Sequence, residues 1–357
     1  MADPATQGET PPSTHNSIEK PKNEYLVMYK PGVTDEQRRE HEAAIHAIVI
    51  QKPGFDGIRQ SWNMGAFQGY HIHMDPEDLA QIDYEFVSCV EPNVVATVYL
   101  ATTADDAKAT GSMVNQAPST WGLGRISHRD KGYYNYVYDD SAGEGVKIYV
   151  LDTGINIDHS DFGGRASWGV NYVPNSLNTD ENGHGTHCAG TAIGTKYGVA
   201  KKAYAIAVKV LDRYGFGDFA GIINGILWAY YDAGSNRDKA VISMSLGGPY
   251  SQVMNYTVAA AAAAGMTVSV AAGNDNNDVK YYSPASEPSA VTVAAIDWND
   301  YRYTMSNWGA GVDVFAAGVS VTSDWIGTND ATNTISGTSM VNAQGSPNRI
   351  AYNNSGY

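Results

Sequence analysis

The chain has 357 residues, room for about two domains of roughly 150 residues each. An apolar fraction of 43% with 37 Gly and 24 Tyr fits a loop-rich globular α/β protein and excludes a coiled coil or a disordered polymer. The formal net charge of −15 argues against nucleic acid and against an anionic membrane surface as partners, because both repel an acidic protein.

In chain order, residues 1–23 are rich in Pro, Thr, Glu and Lys and hold no apolar signal-peptide core, so they read as a disordered leader. Residues 25–29 read as a strand stopped by Pro31 and Gly32. Thr34 then caps a helix over 35–49, with acids in its first turn and Ala43, Ala44, Ile45 and Ile48 on its apolar face. Strand-like runs at 58–64 and 68–74 come next, Asp75-Pro76-Glu77 opens a short helix, and 87–99 closes as a strand. The order βαββαβ predicts a small ferredoxin-like α+β unit over 24–101.

Residues 102–117 are small, polar and charged, a linker open to proteolysis that leads into a second unit over 118–357. There, β-rich runs at 146–151, 203–211, 240–245 and 266–271 alternate with helical runs at 184–193, 219–231 and 250–264. Such alternation predicts an α/β domain with a parallel sheet covered on both faces. Cys89 and Cys188 are too few for a disulfide scaffold and lack metal-ligand spacing. The longest apolar run, 258–265, is mostly alanine and too short to span a bilayer.

Chemistry concentrates in a few stretches. Over 147–154 a buried strand delivers Asp152 to its C-terminal end, the edge at which parallel sheets place their sites. Asp152-Thr153-Gly154 also fits an aspartic protease, but that chemistry needs two carboxylates sharing a proton, and no second such triplet is present. In Asn182-Gly183-His184-Gly185-Thr186-His187-Cys188, the glycines beside His184 let backbone approach an imidazole closely. A zinc pair of His184 and His187 would lack the glutamate and the spacing of the metalloprotease motif. Gly215-Phe216-Gly217 faintly matches a dinucleotide loop with Ala220 in third place. An exposed strand that pairs with an extended peptide explains these glycines better. Asn274, after Gly273, is either a turn residue or a donor to a developing oxyanion. Ser339, reached from Gly337, is placed as a nucleophile opening a helix.

Together, Asp152-Thr153-Gly154, His184-Gly185-Thr186-His187 and Gly337-Thr338-Ser339-Met340 resemble the signature stretches of the subtilisin-like serine proteases (peptidase S8), in that family's order Asp, His, Ser. The runs 243–248 and 283–288 resemble its proteinase K branch, and the resemblance extends over 118–339. It implies Ser339 as nucleophile, His184 as general base and Asp152 as the group that holds the His184 tautomer. Asn274 and the Ser339 amide would form the oxyanion hole. Ser245, Leu246 and Gly247 would grip substrate backbone opposite Gly215, Phe216 and Gly217, with Gly273 near the P1 pocket. The resemblance implies no cofactor for catalysis. It does imply a structural calcium ion on the Pro288 and Ala290 carbonyls and the Asp313 carboxylate, oxygen ligands that suit a hard cation.

Residues 24–101 resemble the inhibitor I9 propeptide, a folding assistant whose tail lies across the active site, and 102–117 would then hold the processing site. The implied function is a serine endopeptidase precursor of broad specificity, an extracellular monomer acting on proteins or peptides and bound by its own propeptide in cis. The competing reading is a catalytically defective homologue whose I9 unit acts as inhibitor or chaperone. Cys188, one helical turn after His184, would sit beside it. His71 and His73, alternating on one strand face, are candidates for a pH sensor of propeptide release.

After Met340 the pattern departs. The family continues into a long buried helix, whereas Val341-Asn342-Ala343-Gln344-Gly345-Ser346-Pro347 supports one or two turns at most, since Gly345 is a poor helix residue and Pro347 pushes Ser346 out of the α region. Residues 349–354 resemble the family's extreme C-terminus. The expectation is a chain that lacks the helix behind the nucleophile, through a mis-spliced or mis-predicted reading frame or through a true internal deletion.

Overall fold

The computed structural model describes residues 21–98, 101–102 and 112–341. The predicted leader up to residue 20, most of the predicted linker, Tyr99 and the stretch after Val341 lie outside the described residues.

The N-terminal unit runs β1 (Glu24–Tyr29), α1 (Asp35–Val49), β2 (Gly57–Met64), β3 (Phe67–His73), a 3-10 turn (Pro76–Gln81) and β4 (Val87–Pro92). Its sheet is antiparallel in the order β2-β3-β1-β4. Helix α1 starts where the sequence places it because Thr34 and Gln37 form a reciprocal capping box. Alternation along β1 divides the sheet's two faces. Val27 and Tyr29 pack with Ile45 and Val49 of α1, whereas Leu26 and Met28 join a larger cluster belonging to the next domain.

The predicted 87–99 strand is in fact split. Past β4 the chain turns at Asn93 and Val94, and β5 (Val95–Val98) leaves the N-terminal sheet for another. Two short strands come after it, β6 (Ala101–Thr102) and β7 (Met113–Gln116), so the predicted linker is partly strand.

The second domain opens with α2 (Trp121–Ser127), β8 (Tyr136–Asp139), β9 (Lys147–Asp152) and β10 (Ala166–Asn171). Next come α3 (His184–Ile193), β11 (Tyr204–Lys209), β12 (Phe216–Asp218), α4 (Phe219–Ala233), β13 (Ala240–Met244), β14 (Leu246–Pro249) and α5 (Gln252–Ala263). It continues through β15 (Thr267–Ala271), β16 (Tyr282–Ser283), β17 (Val291–Ile296), β18 (Val314–Ala317), β19 (Val321–Asp324), β20 (Thr332–Ile335) and β21 (Ser339–Val341). The central sheet has seven parallel strands in the order β10-β11-β9-β13-β15-β17-β18. The unbroken apolar run Ile148-Tyr149-Val150-Leu151 suits a strand buried on both faces.

Helices α4 and α5 cover one face of this sheet, and the N-terminal sheet packs on their far side. Trp62, Met64 and Phe67 share one buried cluster with Phe219, Ile222, Ile223, Met254 and Val258. Burying a side chain of that size stabilises the contact by about 1.5–3 kcal/mol, so the two units cohere as one body. On the opposite face Ala189, Ala192 and Ile193 of α3 lie against Ile148, Val150, Ala205 and Ala207. Strand β6 pairs in parallel with β21 and packs against α3, β17 and β18.

Candidate active site

Strand β9 ends at Asp152, which is fully buried. Helix α3 brings its first residue, His184, to the same edge. The tight approach depends on glycine: Gly183 adopts φ +102°, and a Cβ there would come within 2.5 Å of the Trp325 ring. A Cβ on Gly185 would fall 2.1 Å from the Gly154 carbonyl.

His184 Nδ1 and Asp152 Oδ1 are 2.7 Å apart, with both side chains buried. Burial pulls the imidazole pKa down, but the Asp152 carboxylate overrides it and drives the pKa well above the usual histidine range. Asp152 Oδ1 also accepts from Thr153 N at 2.7 Å, while Oδ2 has no hydrogen-bond partner among the described residues. Cys188 Sγ lies 3.9 Å from each His184 ring nitrogen and 3.8 Å from the Ser339 carbonyl oxygen, so the thiol contacts both the imidazole and the serine backbone. Burial pushes the Cys188 thiol pKa up. His187 faces elsewhere: its Nε2 lies 3.1 Å from the Val321 carbonyl, which gives no zinc pair with His184.

Ser339 departs from expectation. Instead of opening a helix it begins β21, paired with Ala101. Its Oγ donates to the Ser245 carbonyl at 3.0 Å, and among the described residues no hydrogen bond joins it to His184. Ser245 Oγ in turn donates to the Ser339 carbonyl at 3.2 Å. Helix geometry at the serine would need support from the downstream chain, and Gly345 and Pro347 oppose it.

Asn274 comes three residues after the end of β15. Its Oδ1 accepts from Thr338 N at 3.0 Å, and Gly273 N donates to Thr338 Oγ1 at 3.0 Å, which ties this turn to the serine segment. With its carbonyl oxygen so engaged, the Asn274 amide keeps Nδ2 as a donor.

The predicted substrate strands are occupied by the chain itself. Strand β5 lies antiparallel between β12 and β14, with Thr97 opposite both Phe216 and Gly247 and Val98 opposite Leu246. Val98 N donates to the Gly215 carbonyl at 3.1 Å.

Pro288 and Ala290 lie in the turn before β17, and Asp313 lies immediately before β18. Thr292 N donates to Asp313 Oδ2 at 2.8 Å, which holds the carboxylate beside that turn. Burial raises the Asp313 pKa, a cost that a bound cation would reverse. Carbonyl and carboxylate oxygens are the donor type that suits a hard cation.

Sequence reasoning missed the contacts made by Glu91 and Asn93. Glu91 accepts from Ser251 Oγ and from the Gln252 and Val253 amides at the start of α5. Asn93 Oδ1 accepts from Ala220 N at the start of α4. Both are side chains of the N-terminal unit satisfying helix donors of the second domain, and no local sequence signal marks such a pairing.

The family model described as "Subtilase family" matches residues 143–343. Subtilisin-like protease 2 of Pseudogymnoascus destructans is 45% identical over 318 residues, 88% of this chain and 76% of that protein. Subtilisin-like protease 3 of Trichophyton equinum is 45% identical over 326 residues, covering 89% and 79%. Among solved structures, a cold adapted subtilisin-like serine proteinase superposes with a TM-score of 0.59 at 42% identity, covering 63% of this chain and 81% of that one.

Proposed function

The chain belongs to the subtilase family of serine proteases, and from that premise we propose that it is the precursor of a broad-specificity endopeptidase acting through an acyl-enzyme. The observation that carries the proposal is the buried His184–Asp152 pair at 2.7 Å on the C-terminal edge of the parallel sheet. In this reading Ser339 Oγ attacks the scissile carbonyl and His184 Nε2 takes its proton. Asp152 stabilises the imidazolium that forms, and the proton then passes to the leaving amine. Asn274 Nδ2 and the Ser339 amide receive the oxyanion; losing one such donor costs about 3–4 kcal/mol of transition-state stabilisation.

Substrate would take the place of β5, held by Gly215, Phe216 and Gly217 on one side and Ser245, Leu246 and Gly247 on the other, with Gly273 near P1. Residues 24–101 would act as the I9 propeptide in cis, with processing after β5 and within 102–117. Pro288, Ala290 and Asp313 would hold a stabilising calcium ion away from the chemistry. The expected state is an extracellular monomer.

The bond from Ser339 Oγ to Ser245 O supports a second reading, a catalytically defective homologue whose I9 unit serves as inhibitor or chaperone. Hydrolysis of a peptide anilide by the wild type, lost in both Ser339→Ala and His184→Ala, is expected from the first reading. Equal rates in wild type and Ser339→Ala would sink it.

A further inference from the structure

A helix leaves its first N–H groups without partners inside the helix. The N-cap of α3 is Gly183, which has no side chain to offer an acceptor. These donors nevertheless find side-chain acceptors. Gly183 N donates to Asp180 Oδ1 at 2.9 Å, and His184 N to Asn182 Oδ1 at 3.2 Å. Gly185 N donates to Thr153 Oγ1 at 3.0 Å, and Thr186 N to Asp180 Oδ2 at 2.9 Å.

Asp180 is the hub of this arrangement. It is 5% exposed, and it also accepts from Asn182 N at 3.0 Å, Thr153 Oγ1 at 2.8 Å and Thr186 Oγ1 at 2.6 Å. Both hydroxyls carry the connection across to the Asp152 side. Thr153 is the next residue after Asp152, and Thr186 Oγ1 accepts from Asn156 N at 2.9 Å in the loop that leaves β9. A carboxylate suits this place because the helix dipole favours negative charge at its N-terminus. The buried Lys209 amine lies near as countercharge; burial pulls its pKa down while Asp180 opposes the shift. Lys209 Nζ donates to the Thr153 carbonyl at 2.5 Å, which closes the same loop from below.

We propose that Asp180 is the positioning residue of the His184–Asp152 pair: it clamps the first turn of α3 to the loop after β9 and so sets the 2.7 Å contact between Nδ1 and Oδ1. Its consequence for rate rests on the endopeptidase reading, but its geometry does not. Asp180 touches no reacting atom and acts through Thr153 and Thr186. A displacement of about 1 Å in such a pair costs roughly a hundredfold in rate. Asparagine is a poor substitute, because its NH2 in the place of Oδ2 would face the Thr186 N–H donor against donor.

The test reads the His184 Nδ1 proton by proton NMR on the full chain, assigned by its loss in His184→Gln. A strongly hydrogen-bonded imidazolium proton resonates far downfield and exchanges slowly. Asp180→Asn is expected to shift that resonance upfield and to speed its exchange about tenfold or more while the thermal melt stays cooperative. Thr153→Ser, which keeps the hydroxyl, is expected to retain the wild-type signal, and Thr153→Val to lose it. An unchanged resonance and exchange rate in Asp180→Asn overturns the proposal, as does the absence of the resonance in wild type. Should Asp180→Asn fail to fold, identical signals in the two Thr153 variants overturn it. A wild-type chain that shows the resonance, responds to these substitutions and hydrolyses no peptide keeps the positioning role and loses the endopeptidase reading.

Discussion

The Ser339 hydroxyl is bonded to the Ser245 carbonyl, 3.0 Å away, while the Cys188 thiol lies 3.8 Å from the serine's own carbonyl oxygen and 3.9 Å from the His184 ring nitrogens. The same edge holds β5, which fills the strand position between β12 and β14. In the endopeptidase reading proposed above this is a closed form, with β5 in the place of substrate and the Ser339 hydroxyl turned to Ser245.

Opening that cleft should change the serine. Thr97 pairs with both Phe216 and Gly247, so Thr97→Pro removes a ladder donor from the centre of the inserted strand. The expected outcome is faster reaction of Ser339 with an active-site reagent. An unchanged rate would show that β5 does not control access.

Glu91 joins the two units through the N-terminus of α5. Glu91→Ala removes a charged acceptor from that helix end and should cost about 1–2 kcal/mol. Denaturant melts followed by tryptophan fluorescence would show it, and a change within error would mean that water replaces the carboxylate without loss.

Asp324 gives a pH dependence of defined sign. It is fully buried, and among the described residues no hydrogen-bond donor meets either carboxyl oxygen. His159 Nδ1 stands 3.5 Å away but accepts from Asp161 N; Lys196 offsets the neighbouring charge only weakly. Burial first, and then the nearby Asp161, push the Asp324 pKa up to about 8. A raised value means that the folded chain binds the proton more tightly than the unfolded one. The contribution of Asp324 is therefore complete below about pH 4 and is lost as pH rises through about 8. Since a tenfold difference in proton affinity is worth about 1.4 kcal/mol, the wild type should lose several kcal/mol between about pH 5 and 8.5 relative to Asp324→Asn. Parallel stability curves for the two proteins would refute this.

Cys188 offers a chemical probe. Its buried, protonated thiol should react slowly, but once modified by a bulky reagent it must displace His184, which lies 3.9 Å away. Loss of Ser339 reactivity in step with Cys188 labelling is expected. Full reactivity after stoichiometric labelling would contradict it.

Much of this architecture is legible in the sequence because local signals and tertiary demands agree. Thr34 and Gln37 fix the start of α1, the Gly183 turn fixes the start of α3, and the apolar run ending at Asp152 marks a central strand. Legibility fails where a segment answers to a distant partner. Residues 87–99 look like one strand, yet Val95–Val98 pairs with β12 and β14 because those edges need a strand. Ser339 reads as a helix start from its own motif, but a helix there needs a helix-forming continuation, which Gly345 and Pro347 deny it. His71 and His73 look like exposed sensors, yet they lie 3.0 Å from Glu24 and 2.7 Å from Asp56. Asp180 is hard to see as a hub because, although Asn182, Gly183 and Thr186 are its sequence neighbours, its link to Thr153 beside Asp152 is made only by the fold.

Labelling of the full chain with a fluorophosphonate, read by peptide mass spectrometry, bears most directly on the claim that this site is a serine protease centre. The expected result is a covalent adduct on Ser339 that is enhanced in Thr97→Pro and absent from both His184→Ala and Ser339→Ala. A folded chain that stays unlabelled at Ser339 with β5 displaced would contradict the claim.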